Sequence, residues 1–283
     1  MKIALSTESP VDLPKDLLEK YKINTLPYSV TLGDEVKLDG TFPTQEIFDF
    51  VSKTKILPKT SAINEYHYEN YFNGLLENND AVIHITLSGG ITSSVQNAIL
   101  ASKQFSNVYI IDSKSLSTGI ALLCIYASKL IEKELPIQEI VDKVTARVPF
   151  VQASFVIERL DYLYKGGRCS SLQLLGSNIL KLRPQILLKD GKMVTGKKFK
   201  GPMPLVIKNY CNDILEKFNN PDKEIVFITF SSATDDMINT AKQILTDYGF
   251  KNIYCTYASS TITSHCGENT LGILYINDGG VEI

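Results

Sequence analysis

A chain of 283 residues, 44% hydrophobic and 21% charged, can bury a sizeable core and is too apolar for a disordered segment. Its net charge of −2 lacks the basic excess of a dedicated nucleic-acid binder. Five cysteines, Cys124, Cys169, Cys211, Cys255 and Cys266, are odd in number, form no CxxC pair and fit reduced thiols in a cytoplasmic protein. The N-terminal stretch reaches Glu8 too soon for a signal sequence, and the longest apolar run, 120–127, is too short to cross a bilayer.

In chain order, residues 2–6 read as a strand, 14–21 as a helix opened by Pro14, and 23–32 as a second extended stretch. After a turn at Asp39-Gly40 come helices over 44–53 and 65–77. Thr60-Ser61 falls in the loop between them, after Pro58. A β-branched apolar strand over 81–87 is followed by a helix over 94–105, a strand over 108–112 and a long helix over 118–133. Such alternation favours a parallel sheet covered on both faces.

Pro136 starts a helix reaching 147, and the pattern then changes. A strand over 153–157 is followed by a short helix over 158–164 and another over 170–182 that ends before Pro184. Strands over 186–188 and 193–195 flank Asp190-Gly191, a two-residue hairpin signal. Amphipathic helices over 204–218 and 235–248 surround a strand over 225–230, and strands over 253–257 and 271–276 finish the chain. The expectation is therefore an α/β protein of two domains, 1–148 with a mainly parallel sheet and 149–283 with a mixed sheet.

Ligands of open α/β sheets gather outside the carboxyl ends of the strands, where strand-to-helix turns converge. Two such turns are rich in hydroxyls, 88–94 and 112–119. Ordinary N-capping is one reading of both. In the first, Gly89 and Gly90 permit close approach to the backbone, and the following helix end offers unpaired N–H groups to a carboxylate or phosphate. His265 lies in a polar segment between two apolar strands and reads either as a hydrogen-bonding partner for an anion or as a structural histidine. Cys266 beside it reads as inert, because neighbours in an extended segment face opposite ways. His67 and His84 are far apart in the chain and show no metal-ligand spacing, so no metal or other cofactor is expected.

Residues 191–198 miss the phosphate-binding P-loop, with Lys198 where Ser or Thr must stand, in a hairpin rather than before a helix. Between 181 and 200 six lysines and one arginine face the single acid Asp190, a basic stretch extended by Lys165-Gly166-Gly167-Arg168. It reads as a solvated face or as a surface for an acidic or phosphorylated partner.

Taken in order, several segments resemble the DegV family, which includes the fatty-acid-binding FakB subunits of bacterial fatty acid kinase. They are the opening strand ending Ser6-Thr7-Glu8-Ser9, Leu26-Pro27, Asp39-Gly40, Thr60-Ser61, the turn from Leu87 to Ala98, and Ile110-Ile111-Asp112-Ser113. Tyr164-Lys165-Gly166-Gly167-Arg168, Arg183-Pro184 and His265-Cys266-Gly267 complete the set. The resemblance implies a long-chain fatty acid bound between the two domains, its carboxylate meeting Thr60, Ser61, Thr92, Ser93 and His265. It also implies a separate ATP-dependent kinase subunit that phosphorylates the bound acid, with Arg168 and Lys198 facing that partner, a cytoplasmic location with transient membrane contact, and no nucleic acid. The family's binding serine is Thr92 here, the following Gly-Thr-Tyr is Ser93-Ser94-Val95, and the Gly-Pro-Gly after the histidine is Gly267-Glu268-Asn269.

Two other classes stand beside this carrier. One is an autonomous acyl hydrolase or transferase using Ser93 or Ser94, although no Gly-x-Ser-x-Gly elbow is present. The other is a regulatory or RNA-binding module built on the basic stretch.

Overall fold

A computed structural model describes residues 1–171 and 182–281. Strands β1 (Ile3–Glu8), β2 (Ile23–Leu26), β6 (Ala81–Thr86) and β7 (Val108–Asp112) pair in parallel in the order β2-β1-β6-β7. All six residues of the inner strand β6 are buried, as a strand covered on both faces requires. Thr7 pairs with Ile85 and Thr86 with Asp112, so the carboxyl ends of β1, β6 and β7 open side by side. Helices α1 (Lys15–Lys20), α2 (Gln45–Thr54), α3 (Glu65–Leu76), α4 (Ser94–Ser102), α5 (Thr118–Glu132) and α6 (Ile137–Arg147) complete this half.

A small antiparallel sheet was not expected. It consists of β3 (Ser29–Leu32), β4 (Glu35–Leu38) and β5 (Lys59–Ser61), in the order β4-β3-β5. The stretch expected over 23–32 is thus two strands of different sheets, broken at Pro27, which has no N–H to give a ladder. Thr60 and Ser61, expected in a loop, pair with Val30 and Ser29.

The second half carries β8 (Val151–Val156), β9 (Arg183–Lys189), β10 (Lys192–Phe199), β11 (Ile225–Phe230), β12 (Asn252–Tyr257) and β13 (Leu271–Ile276). They form one mixed sheet in the order β10-β9-β8-β13-β11-β12, antiparallel except between β11 and β12. Asp190 and Gly191 turn the hairpin between β9 and β10 with φ of 50° and 78°, both left-handed as a type I′ turn demands. Helices α7 (Leu160–Gly166), α8 (Met203–Lys217), α9 (Asp235–Tyr248) and α10 (Ser260–Cys266) belong to this half. The helix expected over 170–182 falls mostly on 172–181, outside the described residues.

The fold is therefore two α/β domains, one on a parallel and one on a mixed sheet. Twelve of the fifteen residues of α5 are buried, because it packs on β1 and β6 on one side and on β8, β11 and β13 on the other. Apolar contacts are continuous from Ile83 and Ile85 through Leu123 to Phe155 and Phe227, so the domains share a core. Such continuity fixes the turns of one domain against the helices of the other.

Among the described residues no helix is long and apolar enough to cross a membrane.

Candidate functional site in the cleft between the domains

Beyond β6 the chain turns through Leu87–Ser93 before α4 begins. Thr92 N and Ile91 N both donate to Ser88 O, which curls the turn, and Gly90 lies against the hairpin tip. A Cβ on Gly90 would stand 2.2 Å from Gly191 O, so only glycine lets the two domains meet there. Ser88 Oγ donates to that same carbonyl at 2.7 Å.

This turn forms one wall of a cavity of about 690 Å³. Thr60 of β5, Arg168 from the loop after α7, Lys192 and Met193 of β10, and Ile262 and His265 of α10 supply the others. The cavity thus collects residues from both domains. Leu87, Ile91, Leu116, Met193, Ile262 and Cys266 give it an apolar side. A narrower apolar space of about 30 Å³ adjoins it, sharing Leu116, Ile262 and Cys266 and reaching between Phe155, Phe230 and Leu274.

Four of the residues singled out for an anion converge here. Thr60 Oγ1 lies 2.8 Å from His265 Nε2, and Thr92 and Ser93 line the same cavity. Ser93 stands at the N-cap of α4 without a side-chain cap bond, its hydroxyl exposed to the cavity. Ser61 is different. It is exposed and is not among the cavity-lining residues, because alternation along β5 turns it away from Thr60.

Arg168 is exposed and lines both this cavity and a neighbouring cleft of about 550 Å³ that also takes in Lys55, Lys59 and Lys165. Its Nη1 donates to Gly166 O at 2.6 Å. The two glycines before it have separate reasons. Gly167 ends α7 with φ of 71°, and a Cβ on Gly166 would sit 2.7 Å from His265 Nδ1. Lys198 is exposed on β10 and lines neither space; the cavity's lysine is Lys192.

His265 is neutral near pH 7. Burial pushes its imidazole down to about 4, and the positive charge of Arg168 adds to the effect. Its Nδ1 is buried without a hydrogen-bond partner among the described residues. Cys266 follows on the same helix, not on an extended segment as expected. The conclusion of inertness rests instead on burial, which with the charge of Asp12 pushes the thiol up to about 12. The segment is helical because its first N–H groups are capped from the other domain. Asp12 Oδ1 accepts from Ser259 N at 2.8 Å and Asp39 Oδ1 from Ser260 N at 2.8 Å.

A buried polar layer supports the site from below. Tyr28 OH donates to Ser94 Oγ at 2.7 Å and lies 3.3 Å from Thr92 Oγ1. Ser94 Oγ also accepts from Ile63 N at 3.1 Å. Glu8 accepts from Tyr68 OH and, at 2.6 Å, from Leu87 N, which ties the end of β1 to the start of the turn. Burial pushes the phenols of Tyr28 and Tyr68 far above their ordinary value, the charge of Glu8 adding to it, so both remain donors. Neither tyrosine was singled out in the sequence, since no local pattern distinguishes a phenol under a site from one in a core.

The arrangement offers neutral donors and a helix end to an anion, beside an apolar space. Among the described residues the cavity holds no serine hydrogen-bonded to a histidine. Ser94 is fully buried and engaged with Tyr28 and Ile63, and among the described residues His265 bonds Thr60 rather than a serine. No group of His, Cys, Asp and Glu among those residues is placed to hold a metal ion.

An α/β pair of domains closing on a cavity with a hydroxyl-and-histidine end and an apolar end defines the class. The chain belongs to the DegV family: the model described as "Uncharacterised protein, DegV family" matches residues 2–278. It is 27% identical to a "Fatty acid-binding protein" of Thermotoga maritima, over 100% of this chain and 98% of that one. A DegV domain-containing protein of Caldanaerobacter subterraneus is 29% identical, over 97% and 98% of the two chains. Among solved structures, a fatty-acid-binding DegV family protein of Thermus thermophilus superposes with a TM-score of 0.89 at 24% identity, covering 98% of this chain and all of that one. A DegV lipid-binding protein of Thermotoga maritima gives 0.84 at 25%, covering 98% of each.

Proposed function

We propose that this protein binds a long-chain fatty acid, holds its carboxylate at Thr60, Thr92, Ser93 and His265, and presents it to a separate ATP-dependent kinase subunit for conversion to an acyl phosphate. The observation that carries the reading is the convergence of Thr60, Thr92 and a neutral His265, from both domains, at the polar end of a cavity whose other side is apolar. A buried carboxylate needs such pairing, since an unpaired charge there would be very costly. The acyl chain supplies most of the binding. About fourteen methylenes at roughly 0.8 kcal/mol each give about 11 kcal/mol before the costs of ordering.

Relatives support the ligand class. Besides the proteins of Thermotoga and Thermus, one of this fold from Eubacterium ventriosum is described as a stearic-acid-binding protein, and one from Ruminococcus gnavus as solved with vaccenic acid. In this reading the protein is a cytoplasmic carrier and not itself a catalyst. Arg168, exposed at the edge between the cavity and the lysine-lined cleft, faces the incoming phosphate. Ser61 and Lys198 have weaker claims, since they lie outside the cavity.

Denaturing extraction of the purified protein, with native mass spectrometry before it, tests the ligand. A stoichiometric fatty acid, lost when Thr60 and Thr92 are both changed to valine, supports the reading. No lipid and no uptake of added fatty acid overturns it. The kinase step is tested separately by ATP-dependent acyl phosphate formation with a kinase subunit added, which Arg168→Ala is expected to abolish while fatty-acid binding persists.

A further inference from the structure

The head-group site is assembled from two domains, and one side chain outside the cavity touches the supports of both halves. Asp39 is 5% exposed and follows β4. Toward the second domain, its Oδ1 accepts from Ser260 N at 2.8 Å and its Oδ2 from Thr261 N at 3.3 Å, at the start of α10. Toward the first, its Oδ2 accepts from Ser9 Oγ at 2.8 Å, Ser9 Oγ accepts from Tyr28 N at 3.1 Å, and Asp39 N donates to Tyr28 O at 2.8 Å.

Each link ends at the ligand end of the cavity. α10 is a seven-residue helix that carries Ile262 and His265 into the cavity, and its sequence, rich in β-branched and hydroxyl residues, has weak helical preference of its own. Its first N–H groups find their acceptors on Asp39, Asp12 and its own cap Ser259, whose hydroxyl accepts from Ile262 N at 3.4 Å. Tyr28, fixed at both its backbone N–H and C=O, places its phenol under Thr92 and Ser94. Movement of Asp39 therefore alters both sides of the space that a carboxylate would fill.

We propose that Asp39 is the positioning residue of the head-group site, setting His265 against Thr60 and Thr92 without touching ligand itself. The proposal rests on the fatty-acid reading for its ligand but not for its geometry. Asp39 bears mainly on head-group preference: Ile262 and Cys266 of α10 also border the narrower apolar space, but Phe155, Phe230 and Leu274, on β8, β11 and β13, do not depend on it.

The test compares wild type with Asp39→Ala, Asp39→Asn and Ser9→Ala, each first shown to melt cooperatively. Two readouts are taken. Binding of palmitic acid is compared with that of hexadecanol, which shares the chain and lacks the carboxylate. The ring resonances of His265, one of three histidines, are followed against pH by nuclear magnetic resonance. Asp39→Ala is expected to weaken palmitate at least 10-fold and hexadecanol by about threefold at most, the smaller loss reflecting Ile262 and Cys266 on the same helix. The His265 ring, which in wild type stays neutral down to about pH 4, is expected to titrate nearer the ordinary imidazole value once it is released. Asp39→Asn, which keeps one acceptor oxygen for Ser260 N, is expected to restore most of the preference, and Ser9→Ala to lose part of it. Equal losses for acid and alcohol, or an unmoved His265 titration in a folded Asp39→Ala, overturn the proposal. If wild type binds neither ligand, the fatty-acid reading fails while the histidine titration still decides the role of Asp39.

Discussion

Two turns of this protein have nearly the same composition and different fates. Residues 88–94 and 112–119 each follow a strand of the parallel sheet, are rich in hydroxyls and open a helix. In the second, Ser113, Ser115 and Ser117 are buried. Ser113 Oγ accepts from Ser115 N at 3.0 Å, Asp112 Oδ1 accepts from Lys114 N at 3.0 Å, and Ser117 Oγ donates to Asp12 at 2.5 Å. Only Leu116 of that turn faces the cavity. In the first, Thr92 and Ser93 face open space and Gly89 and Gly90 are exposed. Hydroxyls at a strand end do not by themselves make a site: Thr92 Oγ1 accepts from Ser94 N at 3.2 Å much as Ser113 Oγ accepts from Ser115 N, but Thr92 still borders the cavity, and beside it Ser93 makes no cap bond at all.

The largest expected difference follows directly. Changing Thr60 and Thr92 together to valine removes two donors to a charged group, each worth about 1.5–3 kcal/mol, so fatty-acid affinity falls by roughly 100-fold or more. Ser113→Ala, its counterpart in the second turn, costs about 1 kcal/mol of stability and leaves affinity within a factor of two. Fluorescent fatty-acid displacement beside urea unfolding measures both. Equal effects on affinity would erase the distinction between the turns.

The turns also differ in what acidity does to their surroundings. Behind the second, burial pushes Asp12 up from 3.8 to about 7, against the hydrogen bonds from Ser117 and Ser259 that favour its charge. The protonated form is favoured by folding, so this contribution is complete below pH 3.8 and is lost as pH rises toward 7. Facing the first, His265 has the opposite sign. Held near 4 when folded and 6.5 when not, it contributes stability above pH 6.5 that is lost as pH falls toward 4. The two oppose one another between about 4 and 6.5, each by at most about 1.4 kcal/mol per pH unit. Asp12→Asn keeps an acceptor for Ser259 N and removes the buried charge. It is expected to be more stable than wild type at pH 8, by on the order of 2 kcal/mol, and to lose stability steadily as pH falls below 6.5. Chemical denaturation at pH 5, 6.5 and 8 decides it, and a variant less stable than wild type at pH 8 would show that the ionised Asp12 is what holds Ser259.

What the sequence made legible follows from how far each interaction reaches along the chain. Val108–Asp112, Ile225–Phe230, Asp235–Tyr248 and Leu271–Ile276 lie where local periodicity puts them, and the Asp190-Gly191 turn has the geometry its residues dictate. Helix α10 was not legible, since the acceptors for its first N–H groups are more than two hundred residues away at Asp12 and Asp39. Nor was β5, three residues long, which among the described residues pairs with β3 alone. At the site, Thr60, Thr92, Ser93, His265 and Arg168 were named and meet at one cavity, whereas Ser61 and Lys198 were named and stand outside it. Tyr28 was missed because its relevance comes from a fold-back that leaves no mark in its neighbours, and Lys192 was legible only as one of the lysines of the basic stretch over 181–200.

A smaller expected effect on affinity than that of the threonine pair separates the two turns by their glycines. Gly90→Ala would bring a Cβ within 2.2 Å of Gly191 O, and Gly119→Ala within 2.1 Å of Ser115 Oγ. The distances are nearly equal but the neighbours are not. Gly191 O is backbone at the tip of a hairpin, already accepting from Ser88 Oγ, so relief requires the β9–β10 tip to lift away from the turn. Ser115 Oγ ends a side chain on one rotor and has no hydrogen bond to lose among the described residues, so rotation provides part of the relief. Val151 Cγ1, at 3.1 Å from the same added Cβ, keeps Gly119→Ala from being free. Overpacking of this kind costs about 1–3 kcal/mol, and we expect Gly90→Ala near the upper end and Gly119→Ala near the lower. The lifted tip carries Lys192 and Met193 with it, so Gly90→Ala is expected also to loosen ligand binding several-fold while Gly119→Ala does not. Urea midpoints and displacement titrations of the two variants give the comparison, and equal affinity losses would mean that the hairpin tip does not close the cavity.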